Sequence, residues 1–171
     1  MKLEIKQNIL MEHLNYVIKG ISSKNIIPIL NCIKFELTNE GLYLLSTDNE
    51  IAIKTFIKKD DIENIDRCGD ILVSGKFIYD IVRKLPNSTI NIEEVVDNKI
   101  IITTSTSEFT LNCNNPSDFP NIDLEDSKNP IEINKTVLSN IIKQTSFATS
   151  TQESRPVLTG INFKINDNYL E

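Results

Sequence analysis

Residues 3–42 read LEIKQNILMEHLNYVIKGISSKNIIPILNCIKFELTNEGL, and residues 131–170 read IEINKTVLSNIIKQTSFATSTQESRPVLTGINFKINDNYL. Sliding the chain by 128 positions without a gap lays Glu4 on Glu132, Ile5 on Ile133, Leu10 on Leu138, Ser22 on Ser150 and Pro28 on Pro156. The same slide lays Leu30 on Leu158, Ile33 on Ile161, Phe35 on Phe163 and Leu42 on Leu170, and most remaining apolar positions stay apolar. Nine identities in forty aligned positions mark a duplicated domain. Whatever fold the first copy adopts, the second begins in the same way.

The first copy has its own internal order. Lys2 to Lys6 reads as a short strand. From Asn8 to Lys19 the apolar residues Leu10, Leu14, Val17 and Ile18 recur at helical spacing, with Asn8 placed as a cap and Gly20 just past the end. After a turn around Ser22 to Asn25, Ile33, Phe35 and Leu37 alternate with Lys34 and Glu36. Asn39-Glu40-Gly41 then turns the chain into a strand over 42–46. A third strand spans 51–58, and the acidic stretch Asp60 to Asp70 reads as a closing loop. The order then restarts with a strand over 70–74, a helix over 76–85 stopped by Pro86, and strands near 89–93, 99–104 and 108–113. Each half is strand, helix, three strands. The expected fold class is α+β, with helices on one face of antiparallel sheets.

Pro116, Pro120 and Pro130 stand among Asn, Asp and Ser, a linker composition. The expected division is a first domain over 1–120, a linker over 121–130, and the start of a second domain over 131–171. Because the second copy stops before its last strands, the polypeptide is expected to be a fragment.

Bulk properties narrow the function. A chain of 171 residues with 40% hydrophobic and 25% charged residues is an ordinary globular composition. It has no apolar run near the ~18 residues of a membrane span, and its start lacks the apolar stretch of a signal peptide, so a cytoplasmic location is expected. Cys32, Cys68 and Cys113 are odd in number and far apart, with His13 as the one histidine, so neither a zinc site nor a disulfide framework is expected. None of GxGxxG, GxxxxGK[ST], HExxH or GxSxG occurs. The acidic runs Asp60-Asp61, Glu93-Glu94 and Glu125-Asp126 read as solvated surface. No catalysis, cofactor or metal is expected.

A net charge of −6 argues at first against a nucleic-acid partner. Its distribution argues otherwise. The expected helices over 8–19 and 76–85, with a third over 135–148, carry Lys19 against Glu12, then Lys76, Arg83 and Lys84 against Asp80, then Lys135 and Lys143 unopposed. They net +4, leaving −10 for the rest. Positive charge gathered on one layer suits a protein that faces DNA with a single surface, although solvated lysines on helices also need no partner.

Several phrases, in order and spacing, join this pattern to a known family. They are Pro28-Ile29-Leu30, Ser46-Thr47-Asp48-Asn49-Glu50, Gly75-Lys76-Phe77, Leu85-Pro86, Ser117-Asp118-Phe119-Pro120 and Glu153-Ser154-Arg155-Pro156-Val157-Leu158-Thr159-Gly160. Across its whole length the chain resembles the bacterial sliding clamps, the β subunits of DNA polymerase III. The resemblance implies the DNA-clamp fold and a non-catalytic processivity factor that encircles duplex DNA without regard to sequence. When full length, such a protein is a homodimeric ring with helices lining the hole. It also implies that Lys24 and Gln152 touch DNA, with Lys143 on the same wall. Arg155 and Leu158 match the near wall of the cleft that takes polymerase and clamp-loader peptides. Lys76, Phe109 and Leu111 match the dimer interface, while ordinary packing on an alternating strand is the other reading of Phe109 and Leu111. Pro156 and Val157 stand where some clamps carry aromatic residues. The competing functional reading is a structural or protein-interaction protein of repeated α+β domains with no DNA role.

Overall fold

The computed structural model describes residues 1–22, 27–96, 98–122, 131–152, 154–166 and 169–170. The chain forms two compact units, Met1–Asp123 and Leu124–Glu171.

In the first unit the elements run β1 (Lys2–Lys6), α1 (Gln7–Val17), β2 (Cys32–Leu37), β3 (Gly41–Thr47), β4 (Ala52–Lys58) and β5 (Ile62–Arg67). They continue with β6 (Gly69–Ser74), α2 (Gly75–Lys84), β7 (Thr89–Val95), β8 (Lys99–Thr103) and β9 (Glu108–Asn114). All nine strands join one sheet in the order β4-β3-β2-β6-β9-β8-β7-β1-β5. That order records an exchange between the halves. β1 lies antiparallel to β7, with Leu3 opposite Ile92 and Ile5 opposite Ile90. β6 lies antiparallel to β2, with Phe35 opposite Ile71 and Ile33 opposite Val73. Each half lends its first strand to the other half's three-stranded meander, so neither half closes its sheet alone.

Alternation along the strands turns Leu3, Ile5, Ile33, Phe35, Ile71, Val73, Ile90, Ile92, Ile100 and Ile102 onto one face, all buried. Leu10, Leu14 and Val17 of α1 and Ile78 and Val82 of α2 join the same cluster, so both helices cover that face. The Tyr79 hydroxyl donates to Asn15 Oδ1 at 3.0 Å, and Gln7 Nε2 donates to the Val82 carbonyl at 2.8 Å, tying helix to helix. On the opposite face Tyr43 stacks on Phe56, ring centroids 4.4 Å apart, with the Lys54 ammonium 4.5 Å above Tyr43. A smaller cluster of Cys32, Leu72 and Phe119 sits apart from the main core. Asn115 Oδ1 accepts from the Ser117 amide, turning the chain so that Phe119 tucks in, 7% exposed. The proline-bearing segment therefore begins as part of the first unit.

Two local readings are corrected. Ile62–Arg67, expected within a closing loop, is strand β5 on β1. Register shifts at Lys2/Leu3 and Glu4/Ile5 place Ile62 opposite Ile5 and Ile65 opposite Leu3, so the inward residues are three apart and the period of two is hidden. The first half therefore has four strands after its helix. Asn8 does not cap α1, which starts at Gln7 straight out of β1. The Gln7 amide is satisfied by the Ser88 carbonyl at 2.9 Å instead.

The second unit holds α3 (Lys135–Thr145), capped by Asn134 Oδ1, which accepts from the Thr136 amide at 2.9 Å and the Val137 amide at 3.4 Å. A 3₁₀ turn at Pro156–Thr159 and a short antiparallel pair, β10 (Ile165–Asn166) with β11 (Tyr169–Leu170), follow. Leu3, Ile5, Leu30 and Phe35 are at most 3% exposed in the first unit. Their repeat counterparts Ile131, Ile133, Leu158 and Phe163 are 56%, 36%, 51% and 42% exposed. The elements that cover these positions in the first unit, β6 to β9, have no counterpart within residues 131–171.

Candidate functional site

The helix layer of the first unit is built by amphipathicity. With Leu10, Leu14, Val17, Ile78 and Val82 turned inward, the outward residues are Asn8, Glu12, Asn15 and Tyr16 on α1, Lys19 just beyond it, and Lys76, Phe77, Arg83 and Lys84 on α2. Arg83 pairs with Asp80 at 3.1 Å. Among the described residues, Lys19, Lys76 and Lys84 have no ion-pair partner. Three lysines of the sheet differ: Lys2 lies 3.5 Å from Asp66 and 3.6 Å from Glu93, Lys6 4.0 Å from Glu63, and Lys34 3.2 Å from Asp70. Carboxylates on β5, β6 and β7 offset these three, whereas Lys54 and Lys58 on β4 and Lys99 on β8 have no ion-pair partner among the described residues. Such point charges on flexible stems attract phosphates without reading bases.

Lys24 lies outside the described residues. In the second unit Lys143 is exposed on the last turn of α3. Gln152 is exposed too, its backbone amide held by Ser150 Oγ at 3.0 Å. Arg155 and Leu158 sit on one tight turn: the Leu158 amide donates to the Arg155 carbonyl at 3.0 Å, and the Ser150 amide to the Leu158 carbonyl at 2.8 Å. Pro156 presets the backbone of that turn, and both side chains face solvent.

A second surface lies along β9. This strand pairs with β8 over its length but meets β6 only at Leu72 opposite Asn114 and Val73 opposite Cys113. The rest of that edge is open. Hydrogen bonds from the Thr104 amide to Ser107 O (2.8 Å) and from the Cys113 amide to Asn98 O (2.7 Å) flank the β8–β9 ladder and set its phase. Phe109 and Leu111 bond to β8, so the amides and carbonyls of Glu108 and Thr110 point to the open side, while those of Asn112 point toward β6. Leu111 packs against the core cluster, whereas Phe109 is 37% exposed. A groove runs between Thr110, Leu111 and Asn112 on one wall and Val73, Ser74 and Phe77 on the other. The structure thus brings Leu111 to a groove with α2, where Lys76 adjoins Phe77, and leaves Phe109 further along the edge. Phe77, 59% exposed, was not singled out from sequence. Its signal was there: it lies off the stripe made by Ile78 and Val82.

The remaining reactive groups are packing groups. His13 Nδ1 is buried without a partner, its ring edge-on to Tyr16, and burial pushes its pKa down. Burial pushes the Cys113 thiol up to about 11 and raises Cys32 as well, which keeps both as unreactive thiols. Among the described residues no three His, Cys, Asp or Glu gather as a metal-holding group, and no helix is long and apolar enough to cross a membrane.

Comparison with known proteins matches residues 1–123 to the N-terminal domain, and residues 132–171 to the central domain, of the DNA polymerase III beta subunit. The beta sliding clamp of Streptococcus pneumoniae is 36% identical over 165 residues, which cover 95% of this chain and 44% of that protein. The crystal structure of the DNA polymerase sliding clamp from Bacillus subtilis superimposes with a TM-score of 0.91 at 36% identity, covering 96% of this chain and 44% of that one. The Helicobacter pylori beta clamp bound to a DNA ligase peptide superimposes with a TM-score of 0.79 at 26% identity, covering 91% and 42%. The chain spans less than half the length of these relatives.

Proposed function

This chain belongs to the DNA polymerase III beta-subunit family, and from that premise we propose that it supplies the first domain and the start of the second in a sliding clamp. The clamp is a cytoplasmic, non-catalytic ring of two protein copies. It encloses duplex DNA and holds the replicative polymerase on its template by topology. No cofactor takes part. In this reading the helix layer is the inner wall, and Lys24, Lys143 and Gln152 touch the phosphate backbone. Weak, sequence-blind contacts are sufficient there, since enclosure prevents escape when any one contact breaks. The open edge of β9, with Lys76, Phe109 and Leu111, pairs with the third domain of the partner protein by strand addition. Arg155 and Leu158 form the near wall of a cleft for the peptides of polymerase and clamp loader. The Helicobacter clamp holding a ligase peptide supports that role by analogy.

The observation that carries the reading is the match of residues 1–123 and 132–171 to the N-terminal and central domains of the DNA polymerase III beta subunit, with Lys19, Lys76 and Lys84 exposed on the helix layer. The test is retention of the whole clamp on nicked circular DNA across a salt series. Lys24→Glu together with Lys143→Glu should lower retention and flatten its salt dependence while leaving folding intact, because exposed charges contribute little to stability. Equal retention by wild type and double mutant would favour an interaction protein with no DNA role.

A further inference from the structure

We propose, on the reading of the helix layer as the inner wall, that Lys19 is a further contact of the whole clamp with the DNA backbone and that Ser46 is the residue that positions it.

At the end of α1 the backbone tightens. Ile18–Gly20 is a 3₁₀ turn, and the Ile21 amide, which an α-helix would direct to the Val17 carbonyl, donates to the Ile18 carbonyl at 3.3 Å instead. The Ser46 hydroxyl, fully buried on β3, donates to the Val17 carbonyl. Gly20 lets that side chain come close, since a Cβ built on Gly20 would meet Ser46 Oγ at 2.4 Å. Ile21 is held on the other side: at the start of α2, Gly75 leaves room for its Cδ1, which a Cβ there would meet at 2.3 Å. Ile18 packs against the main core. With Ile18, Gly20 and Ile21 fixed in this way, Lys19 is the exposed residue of the turn. It lies one helical turn beyond Asn15, whose Oδ1 accepts from the Tyr79 hydroxyl, so it continues the stripe of α1 that borders α2. Among the described residues no carboxylate pairs with it, and Glu12 on the same stripe is two turns back. An unpaired ammonium on a fixed backbone can meet a phosphate without first breaking an ion pair or ordering the turn, and it carries no base preference. The hydroxyl of Ser46, which opens the Ser46-Thr47-Asp48-Asn49-Glu50 phrase, thereby serves a surface that it does not reach.

The test is retention of the whole clamp on nicked circular DNA across a salt series, with thermal unfolding to show that each variant folds. Lys19→Ala should lower retention about threefold at about 0.15 M salt and reduce the salt slope by about one, while Lys19→Arg should keep both. Ser46→Ala, which removes one oxygen atom, should lower retention about twofold in the wild-type background and have no further effect in the Lys19→Ala background. If Lys19→Ala is retained as wild type is, while Lys24→Glu with Lys143→Glu is not, the role of Lys19 is overturned and the inner-wall reading stands. If neither change alters retention, the inner-wall reading fails and takes this contact with it. An equal loss from Ser46→Ala with and without Lys19 would show that Ser46 does not act through Lys19, and would overturn its positioning role.

Discussion

Gly41 is where a single residue constrains the fold most tightly. It follows the turn at Asn39-Glu40 with φ +150°, and a Cβ built there would meet the Ile57 carbonyl oxygen at 2.1 Å and the Phe56 ring at 2.8 Å. The carbonyl belongs to the neighbouring strand and cannot step aside without breaking the β3–β4 ladder. Gly41→Ala should therefore cost about 3 kcal/mol in urea unfolding, well above an exposed substitution. His13 offers a second test at this scale, because it is the protein's single histidine. Burial depresses its pKa below the ordinary 6.5, with Glu12 and then Asp61 pulling back. The unfolded chain thus holds the proton more tightly than the folded one. Stability is complete above pH 6.5 and is lost as pH falls through that value toward the folded pKa. Urea midpoints at about pH 7.5 and about pH 5.5 should differ in wild type, and by less in His13→Gln.

Among the elements, β9 has divided duties. Leu111 leans on the core and Phe109 lies on the same face further along an open edge. Leu111→Ala should cost about 2 kcal/mol in fold stability and Phe109→Ala less than about 1 kcal/mol. Equal costs would return both residues to plain core packing. Phe77→Ala should likewise leave the fold unchanged, since 59% of the residue is exposed, yet weaken any assembly made at the β9 groove. β5 shows how an element escapes a reading by period. Its acidic residues serve Lys2 and Lys6, and two register shifts let Ile62 and Ile65 both face inward across an odd spacing. Nothing local in Ile62-Glu63-Asn64-Ile65 announces a strand; the partner β1 makes it one.

For the whole molecule, the two units should differ in stability. The first holds every fully buried side chain among the described residues, while α3 and the turns after it bury none. Amide exchange should be slow across β1–β9 and fast in α3. Removing residues 124–171 should change the unfolding free energy of the first unit by less than about 0.5 kcal/mol. On the proposed reading, the contacts of residues 1–171 without a closed ring should bind linear duplex DNA feebly, without sequence preference. That binding should vanish as salt shortens the screening length to about 10 Å near 0.1 M. Tight, salt-resistant binding in a filter assay would contradict a mechanism based on enclosure.

By itself the sequence determined the repeat, the helices near Leu10–Val17 and Ile78–Val82, and eight of the first unit's nine strands, because these follow from local periodicity and from Gly and Pro at the turns. It also held the family likeness, which rests on ordered phrases rather than on any one residue. Tertiary structure decided what depends on a partner strand. It set the exchange of β1 and β6 between the halves, made Ile62–Arg67 a strand, and satisfied the Gln7 amide through Ser88 instead of a side-chain cap. It also opened the groove that joins Phe77 to Leu111. The physical reason is common to these cases. Side-chain periodicity is written along one strand, but hydrogen-bond phase, bulges and open edges belong to a pair of strands, and the pair exists only once the chain has folded.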